Sequence, residues 1–429
     1  MQHAGATRPA PLSVAVLGAG TVGREVVRAL LDKSEDLAAA AGGVELRLTG
    51  VAVRDLQRAR TGGIPNDLLT DAPAHLVASP DNDVVVELLG GEEPARTFLV
   101  AALAAGRNVV TANKHVLAHH GPEIEAAARR GGSILRFEAA VGGGIPVLAS
   151  LAHDLAANSI ERVRGIVNGT TNYILSAMAE GVGTYEAVLR EAQELGYAEA
   201  DPSGDVEGRD AVNKLVILAR LAFGAWLDPA SIPDRPPSLR GRGGPGISGV
   251  TADEVTGARS LGLQLRLVAD AGLARDGTVT ASCLPTAVAT DSPLGRTSGV
   301  RNRVEVSGTP IGTIGFDGPG AGGAATSSAV LGDLLAIARG EGSTWATLPA
   351  AEGGTITDAD QAWNDVRRWF FLLPGSRRGR VLDGLAAETA DTPSGVAVLT
   401  SPITLAILRE RLLGAIPETL DAPCYPVED

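Results

Sequence analysis

Ser13-Val14-Ala15-Val16-Leu17-Gly18-Ala19-Gly20-Thr21-Val22-Gly23-Arg24-Glu25-Val26-Val27-Arg28-Ala29-Leu30-Leu31 is the stretch that decides the fold. The short apolar run at 13–17 suits a buried strand, and Val26, Val27, Leu30 and Leu31 return at helical spacing. Between them lies Gly18-x-Gly20-x-x-Gly23. In a strand–loop–helix setting these glycines permit a tight turn and let the backbone approach a pyrophosphate. The helix start then offers unpaired N–H groups to the anion. Gly18, Gly20, Thr21, Val22 and Gly23 are therefore candidate cofactor-binding residues, and a simple surface turn is the alternative reading.

Working outward, further strands are expected at 44–53, 84–89 and 108–111, with helices at 94–105 and 123–130 between them. Such alternation predicts an α/β unit, a parallel sheet with helices on both faces. The end of the second strand selects the cofactor. An acidic residue there would bond the ribose 2′-hydroxyl, whereas an arginine suits a 2′-phosphate. The chain has Arg54 there, with Arg58 near, and Asp55 would serve NAD if the register slipped by one. NADP is favoured, with NAD as the alternative.

After about residue 145 the pattern changes to α+β. Strands are expected at 160–167, 264–269, 279–284 and 303–306, and helices at 173–180, 184–195 and 210–223. Residues 228–249, rich in Pro, Gly and Arg, read as a loop. A second Gly-rich run, 318–323, precedes a helix at 325–339, and 341–360 reads as a linker. The last segment reads as strand 368–373, helix 379–387, strand 396–399, helix 403–413 and a final strand within 422–427. Three domains result: 12–145 with 318–340, 146–317, and 361–429.

Composition narrows the function. The chain has 429 residues and a formal charge of −13, which argues against a nucleic-acid partner, since that needs a basic face. Aromatic residues make up only 3%, so Ala, Val and Leu must supply most of the core. Cys283 and Cys424 give neither a CxxC metal spacing nor a disulfide framework. The start of the chain lacks the features of a secretory signal, and no apolar run reaches ~18 residues, so a cytoplasmic protein without a membrane span is expected.

Three further clusters carry chemistry. Thr111-Ala112-Asn113-Lys114 closes a strand, and strand ends of such a sheet face the ligand crevice, where Lys114 can meet cofactor or a carbonyl substrate. Phe137-Glu138-Ala139-Ala140-Val141-Gly142-Gly143-Gly144-Ile145-Pro146 sets a carboxylate beside glycines whose carbonyls can turn inward around a hard cation; a flexible hinge is the competing reading. Asp210 and Lys214 stand four apart and share a helix face. A surface ion pair is the bland account. The residues around them, Ala211, Val212, Leu215, Val216, Ile217, Leu218 and Ala219, instead describe a buried helix. Burying a lysine is costly without partners and makes its proton movable.

Taken together, GAGTVG (18–23), TANK (111–114), FEAAVGGGIP (137–146), GIVNGTTNYIL (165–175), LGYAEADPSGDVEGRDAVNKL (195–215) and GPGAGGAATSSAVLGDL (318–334) make the chain similar to the homoserine dehydrogenase family over about residues 12–340. The resemblance implies NADPH-dependent reduction of L-aspartate 4-semialdehyde to L-homoserine. A same-fold dehydrogenase of a related amino-acid aldehyde and an idle NADP-binding regulator are the alternatives. It implies that Glu199 binds the substrate amino group, Lys214 donates the proton, Asp210 orients substrate or water with Asp205 in support, and Lys114 sits between cofactor and substrate. It also implies a sodium ion on Glu138 and the carbonyls of Val141, Gly143 and Ile145, and Gly322 lying back against the cofactor. A homodimer or higher oligomer is expected. The fold implied is a Rossmann-type domain, an α+β substrate and dimerisation domain, and a small C-terminal ACT-like α+β domain. Residues 235–246 exceed the family's expected loop, and Leu373-Pro374-Gly375 matches the usual effector-binding turn only faintly.

Overall fold

The computed structural model describes residues 9–60, 63–345, 348–351, 365–374, 382, 384–413 and 421–428. The chain forms two compact units. The first comprises residues 1–157, 224–226 and 319–353, and the second comprises 158–223, 227–318 and 354–429.

The first unit is built on six parallel strands: β1 (Leu12–Leu17), β2 (Leu46–Ala52), β3 (Leu69–Thr70), β4 (Val84–Glu87), β5 (Asn108–Thr111) and β6 (Leu135–Arg136). Their order, β3-β2-β1-β4-β5-β6, reverses direction beside β1. In open sheets the ligand crevice lies at that reversal, outside the carboxyl ends of the strands. Strands buried on both faces read as continuous apolar runs, which is why β1 and β4 stood out in the sequence. The core sets Val14, Val16, Val84, Val86 and Val110 of the sheet against Val26, Val27 and Leu30 of the Thr21–Asp32 helix. Ala329, Val330, Leu334 and Ile337 of the distant Gly323–Ala338 helix complete it.

Two boundaries differ from the sequence reading. Residues 146–157, assigned there to the substrate domain, group with the first unit. The reason is local: Glu138 accepts the backbone N–H groups of Leu148 (2.9 Å) and Ala149 (2.6 Å) and ties that turn down. The expected linker at 341–360 begins as packed structure. Thr344 N–H donates to Leu135 O (3.0 Å), Leu135 N–H donates to Ser343 Oγ (3.0 Å), and buried Trp345 lies against Phe137. Residues 346–347 and 352–360 of that expectation lie outside the described residues.

The second unit is one nine-stranded mixed sheet in the order β11-β10-β7-β8-β9-β15-β12-β14-β13. Its strands are β7 (Ser159–Ile166), β8 (Leu263–Leu273), β9 (Val279–Ala289), β10 (Arg301–Thr309), β11 (Gly312–Pro319), β12 (Trp369–Pro374), β13 (Ala386–Thr392), β14 (Gly395–Thr400) and β15 (Tyr425–Glu428). β8 and β9 pair along all eleven residues, well beyond the apolar runs that announced them. β11 was not anticipated, because its glycines and exposed positions hide a strand signal.

The tail differs from the expected order. The helix expected at 379–387 is not found where the chain is described: residues 379–381 and 383 lie outside the described residues, 384–385 form a turn, and its last residues, Ala386 and Ala387, open β13. β13 folds back on β14, with the Thr392 hydroxyl bonding both the C=O and the N–H of Gly395. Alanines and threonines on a half-exposed edge strand gave no usable period. β15 pairs with β12 on one side and, in parallel, with β9 on the other, so the tail continues the sheet of the substrate unit. Most of the buried aromatic residues gather here: Trp369, Phe370, Phe371 and Tyr425. Leu239, fully buried, and Leu284 join the tail's core. Leu239 N–H donates to Ala422 O (2.9 Å), Cys424 N–H to Pro237 O (2.7 Å), and the Arg409 guanidinium to Ser238 O (2.7 Å). The loop at 235–246 thus forms the seat of the tail. Glu428 reaches Arg162 and Arg164 of β7, each at 2.9 Å.

Candidate active site

The glycine loop after β1 opens onto a cavity of about 640 Å³, lined by Gly18, Gly20, Thr21, Arg24, Arg54 and Asp55 among others. Each glycine has its own reason. Gly18 has φ +102°, and a Cβ there would meet Leu88 O at 2.6 Å; a Cβ on Gly23 would overlap the Gly18 carbonyl oxygen. A Cβ on Gly20 would touch nothing within 4 Å. Its bareness is not demanded by the protein's own packing and leaves a cradle for a pyrophosphate at the helix start. Arg54 and Asp55 are both exposed on the far wall, and the Arg58 side chain lies outside the described residues. Arg24, absent from the sequence reading, also lines the cavity, with its Nε bonded to Ala19 O (3.1 Å). A Cβ on Gly323 would sit 3.1 Å from Thr21, so the segment around Gly322 lies beside the same helix start; Gly322 itself has φ +109°.

The ends of β4 and β5 are tied by Glu87, which the sequence reading missed. Its carboxylate accepts Thr111 Oγ1–H (2.6 Å) and Leu89 N–H (2.8 Å), and burial raises its pKa. Thr111 in turn holds the Asn113 N–H (3.0 Å). Asn113 accepts Val116 N–H (3.2 Å) and donates to Gly91 O (2.8 Å), capping the Lys114–Gly131 helix. Lys114 therefore stands at a rigid strand-to-helix corner on the crevice edge of this sheet.

In the second unit, the Arg209–Phe223 helix is buried continuously from Ala211 to Leu221. Lys214, only 7% exposed, donates from Nζ to Asp210 Oδ2 (2.8 Å) and to Val167 O (2.6 Å). Asn168 Nδ2 donates to Asp205 Oδ1 (2.7 Å) and Asp210 Oδ2 (2.8 Å). Burial, and then the Asp210 charge, raise the pKa of Asp205, while its bond to Asn168 lowers it. Three of the four predicted residues, Asp205, Asp210 and Lys214, thus form one cluster at the end of β7. Glu199 is exposed on the neighbouring loop, where its carbonyl accepts Gln193 Nε2–H (3.0 Å). A buried ammonium beside a carboxylate is suited to moving a proton.

Comparison with known proteins gives this arrangement its family. A model described as homoserine dehydrogenase matches residues 146–335, and one described as homoserine dehydrogenase, NAD binding domain, matches 18–138. A homoserine dehydrogenase of Mycobacterium tuberculosis is 40% identical over 402 residues, covering 90% of this chain and 86% of that one. The chain belongs to the homoserine dehydrogenase family. A crystal structure of a homoserine dehydrogenase from Thiobacillus denitrificans superposes with a TM-score of 0.86 at 33% identity, covering 98% of both chains. A hyperthermophilic archaeal homoserine dehydrogenase in complex with NADPH superposes with a TM-score of 0.62 at 27% identity, covering 76% of this chain and 97% of that one. As in an NAD(P)-dependent oxidoreductase family, the first unit is the nucleotide-binding one.

The remaining cluster of the family pattern lies in the first unit. Glu138 and Asp333 are both buried, and Arg136 bonds Asp333 (2.9 Å). Burial, with the neighbouring carboxylate, lifts Glu138 to about 7, and burial lifts Asp333 to about 6. The Arg136 guanidinium also faces Glu341 (3.6 Å), while Asp333 accepts the Glu138 N–H (2.8 Å). Val141, Gly143 and Ile145 follow in a turn with positive φ at Gly142 (72°) and Gly143 (60°). Among the described residues no group of three or more His, Cys, Asp or Glu side chains could hold a metal. No helix among them is long and apolar enough to cross a membrane. Both cysteines are buried and free.

Proposed function

We propose that the protein works as a homoserine dehydrogenase in the reducing direction, taking L-aspartate 4-semialdehyde to L-homoserine with NADPH, and that Lys214 is the proton donor. The observation that carries the proposal is the buried Lys214–Asp210 pair beside the Val167 carbonyl. A nicotinamide cofactor held in the glycine cradle would supply the hydride for the aldehyde carbon. Lys214 Nζ gives its proton to the aldehyde oxygen, which stays on its carbon as the hydroxyl of the alcohol, and Asp210 steadies the ammonium before transfer. The exposed carboxylate of Glu199 binds the substrate ammonium, and Asp205 supports Asp210. Lys114, at the end of β5, acts on the cofactor side. Consumption of NADPH on addition of the semialdehyde tests the reading; none by a folded, NADPH-binding protein would overturn it.

For the cofactor, Gly18, Gly20, Thr21, Val22 and Gly23 cradle the pyrophosphate, Gly322 flanks it, and Arg54 pairs with the 2′-phosphate, giving NADP preference over NAD. Asp55 on the same wall supports NAD as the second reading. The Glu138 carboxylate and the carbonyls of Val141, Gly143 and Ile145 suit a sodium ion, a hard cation taking oxygen donors. The burial of the Glu138 carboxyl next to Asp333, which a cation would offset, supports this, and a thermal shift specific to sodium over choline tests it. A homodimer, checked by sedimentation, and a cytoplasmic setting complete the reading. The tail is ACT-like: counted within the tail, its strands lie in the order 4-1-3-2, that of a split βαβ unit.

A further inference from the structure

We propose that Asn168 is the positioning residue of the proton-donating group: its side-chain amide draws the Asp205 and Asp210 carboxylates together and so fixes the oxygen on which Lys214 rests. The inference rests on the reading of Lys214 as proton donor.

Asn168 follows β7 by two residues and caps the Gly169–Ala179 helix, with Oδ1 accepting Thr171 N–H (2.8 Å). That bond decides which way the amide points. With the oxygen committed to the helix, the NH₂ must face the carboxylates. Its two hydrogens are both used, on Asp205 Oδ1 and Asp210 Oδ2. The side chain is 4% exposed, and a flip would forfeit all three bonds and set an oxygen against two carboxylates. Asp210 Oδ2 is the same oxygen that holds Lys214 Nζ. The neighbouring Val167 O is the second acceptor of Lys214 and is braced by Asn302 Nδ2 (2.9 Å). One dipeptide, Val167-Asn168, thus grips the lysine by its carbonyl and the counter-ion by its side chain.

The amide also solves a charge problem. Asp205 and Asp210 repel, and without a donor between them one would retain a proton into the working pH range, weakening its hold on Lys214. The titratable groups at this point are Asp205, Asp210 and Lys214, and the buried Cys283 thiol of β9 lies within electrostatic reach of Asp210 and Asp234. The Thr170 hydroxyl of the same turn donates to Tyr197 O (2.7 Å).

Asn168→Asp is the decisive variant. It keeps size and helix cap, since Asp caps as well as Asn, but exchanges the donor for a third carboxylate. At neutral pH kcat should fall about ten- to a hundredfold, the usual worth of a hydrogen bond to a charged group, with KM for NADPH unchanged. On lowering the pH, the introduced carboxyl group regains a proton and with it a donor, so the ratio of wild-type to variant kcat should shrink. A purely structural role predicts a pH-independent ratio, and that result, or unchanged kcat, overturns the proposal. Asn168→Ser keeps a cap and adds no charge; should the Asp variant fail to fold, normal kcat in a folded Ser variant is equally fatal. Lys214→Met is measured in parallel. Near-normal turnover there sinks the proton-donor reading itself, whereas an inactive Lys214→Met beside fully active Asn168 variants sinks only the clamp.

Discussion

Replacing Lys214 by Ala removes its bonds to Asp210 Oδ2 and to Val167 O. What it leaves behind can be worked out group by group. Val167 O keeps Asn302 Nδ2 as a donor, and Asp210 keeps Asn168 Nδ2. Neither group becomes an orphan, and the Asp210 side chain retains 12% exposure. The stability cost should therefore lie near ~1–3 kcal/mol, the value for a lost bond to a charged group. The ~3–5 kcal/mol of a stranded buried ion is not expected. The variant should fold. Loss of general acid help costs typically ~10²–10⁴-fold, about 2.7–5.5 kcal/mol of barrier. The assay is NADPH oxidation by the semialdehyde, with NADPH binding followed separately by fluorescence. The expected result is kcat down by that factor and cofactor binding intact, since the cradle belongs to the other unit. Lys214→Arg, which keeps the charge but holds its proton, should be nearly as slow. Near-normal turnover in either variant would show that the proton comes from elsewhere.

Arg54→Ala should raise the KM for NADPH and leave NADH almost unchanged, because a charge-assisted bond to phosphate is lost; equal losses with both would point to Asp55 as the residue that meets the ribose. Glu87→Gln should flatten the dependence of stability on pH. The raised pKa of Glu87 means that the fold favours its protonated form: its contribution is present below about 4.5, the unperturbed value, and is lost as pH rises through the raised one. Thermal midpoints should thus fall more for wild type than for the variant as pH rises from about 4.5, and parallel curves would contradict the assignment. Leu239→Ala should cost about 2–5 kcal/mol, the usual price of a cavity in a closed core. Hydrogen exchange should quicken in β12 and β14 while NADPH binding stays normal, and unaltered exchange there would mean the loop does not seat the tail.

The sequence by itself determined the nucleotide-binding half, because its signals are local. A strand buried on both faces is a run of Val and Ala, and the turn itself requires Gly18, through its φ of +102°, and Gly23, which meets the Gly18 carbonyl. The Asp210–Lys214 pairing was equally legible, since four residues on a helix fix a shared face wherever the helix lies. What only tertiary structure decided depends on partners remote in sequence. Asn168 looked like one polar residue in a specific run; its role appears when β7 ends against the Arg209–Phe223 helix and brings two carboxylates to one amide. Glu87 sat inside an apolar strand and disclosed nothing until β5 lay beside it. Residues 235–246 read as surplus loop, and β13 as the end of a helix followed by no element, because the apolar partners that seat them come from the tail and from β14. Local propensity has no access to such contacts: their stabilisation is gained only when the chain closes over long sequence separations.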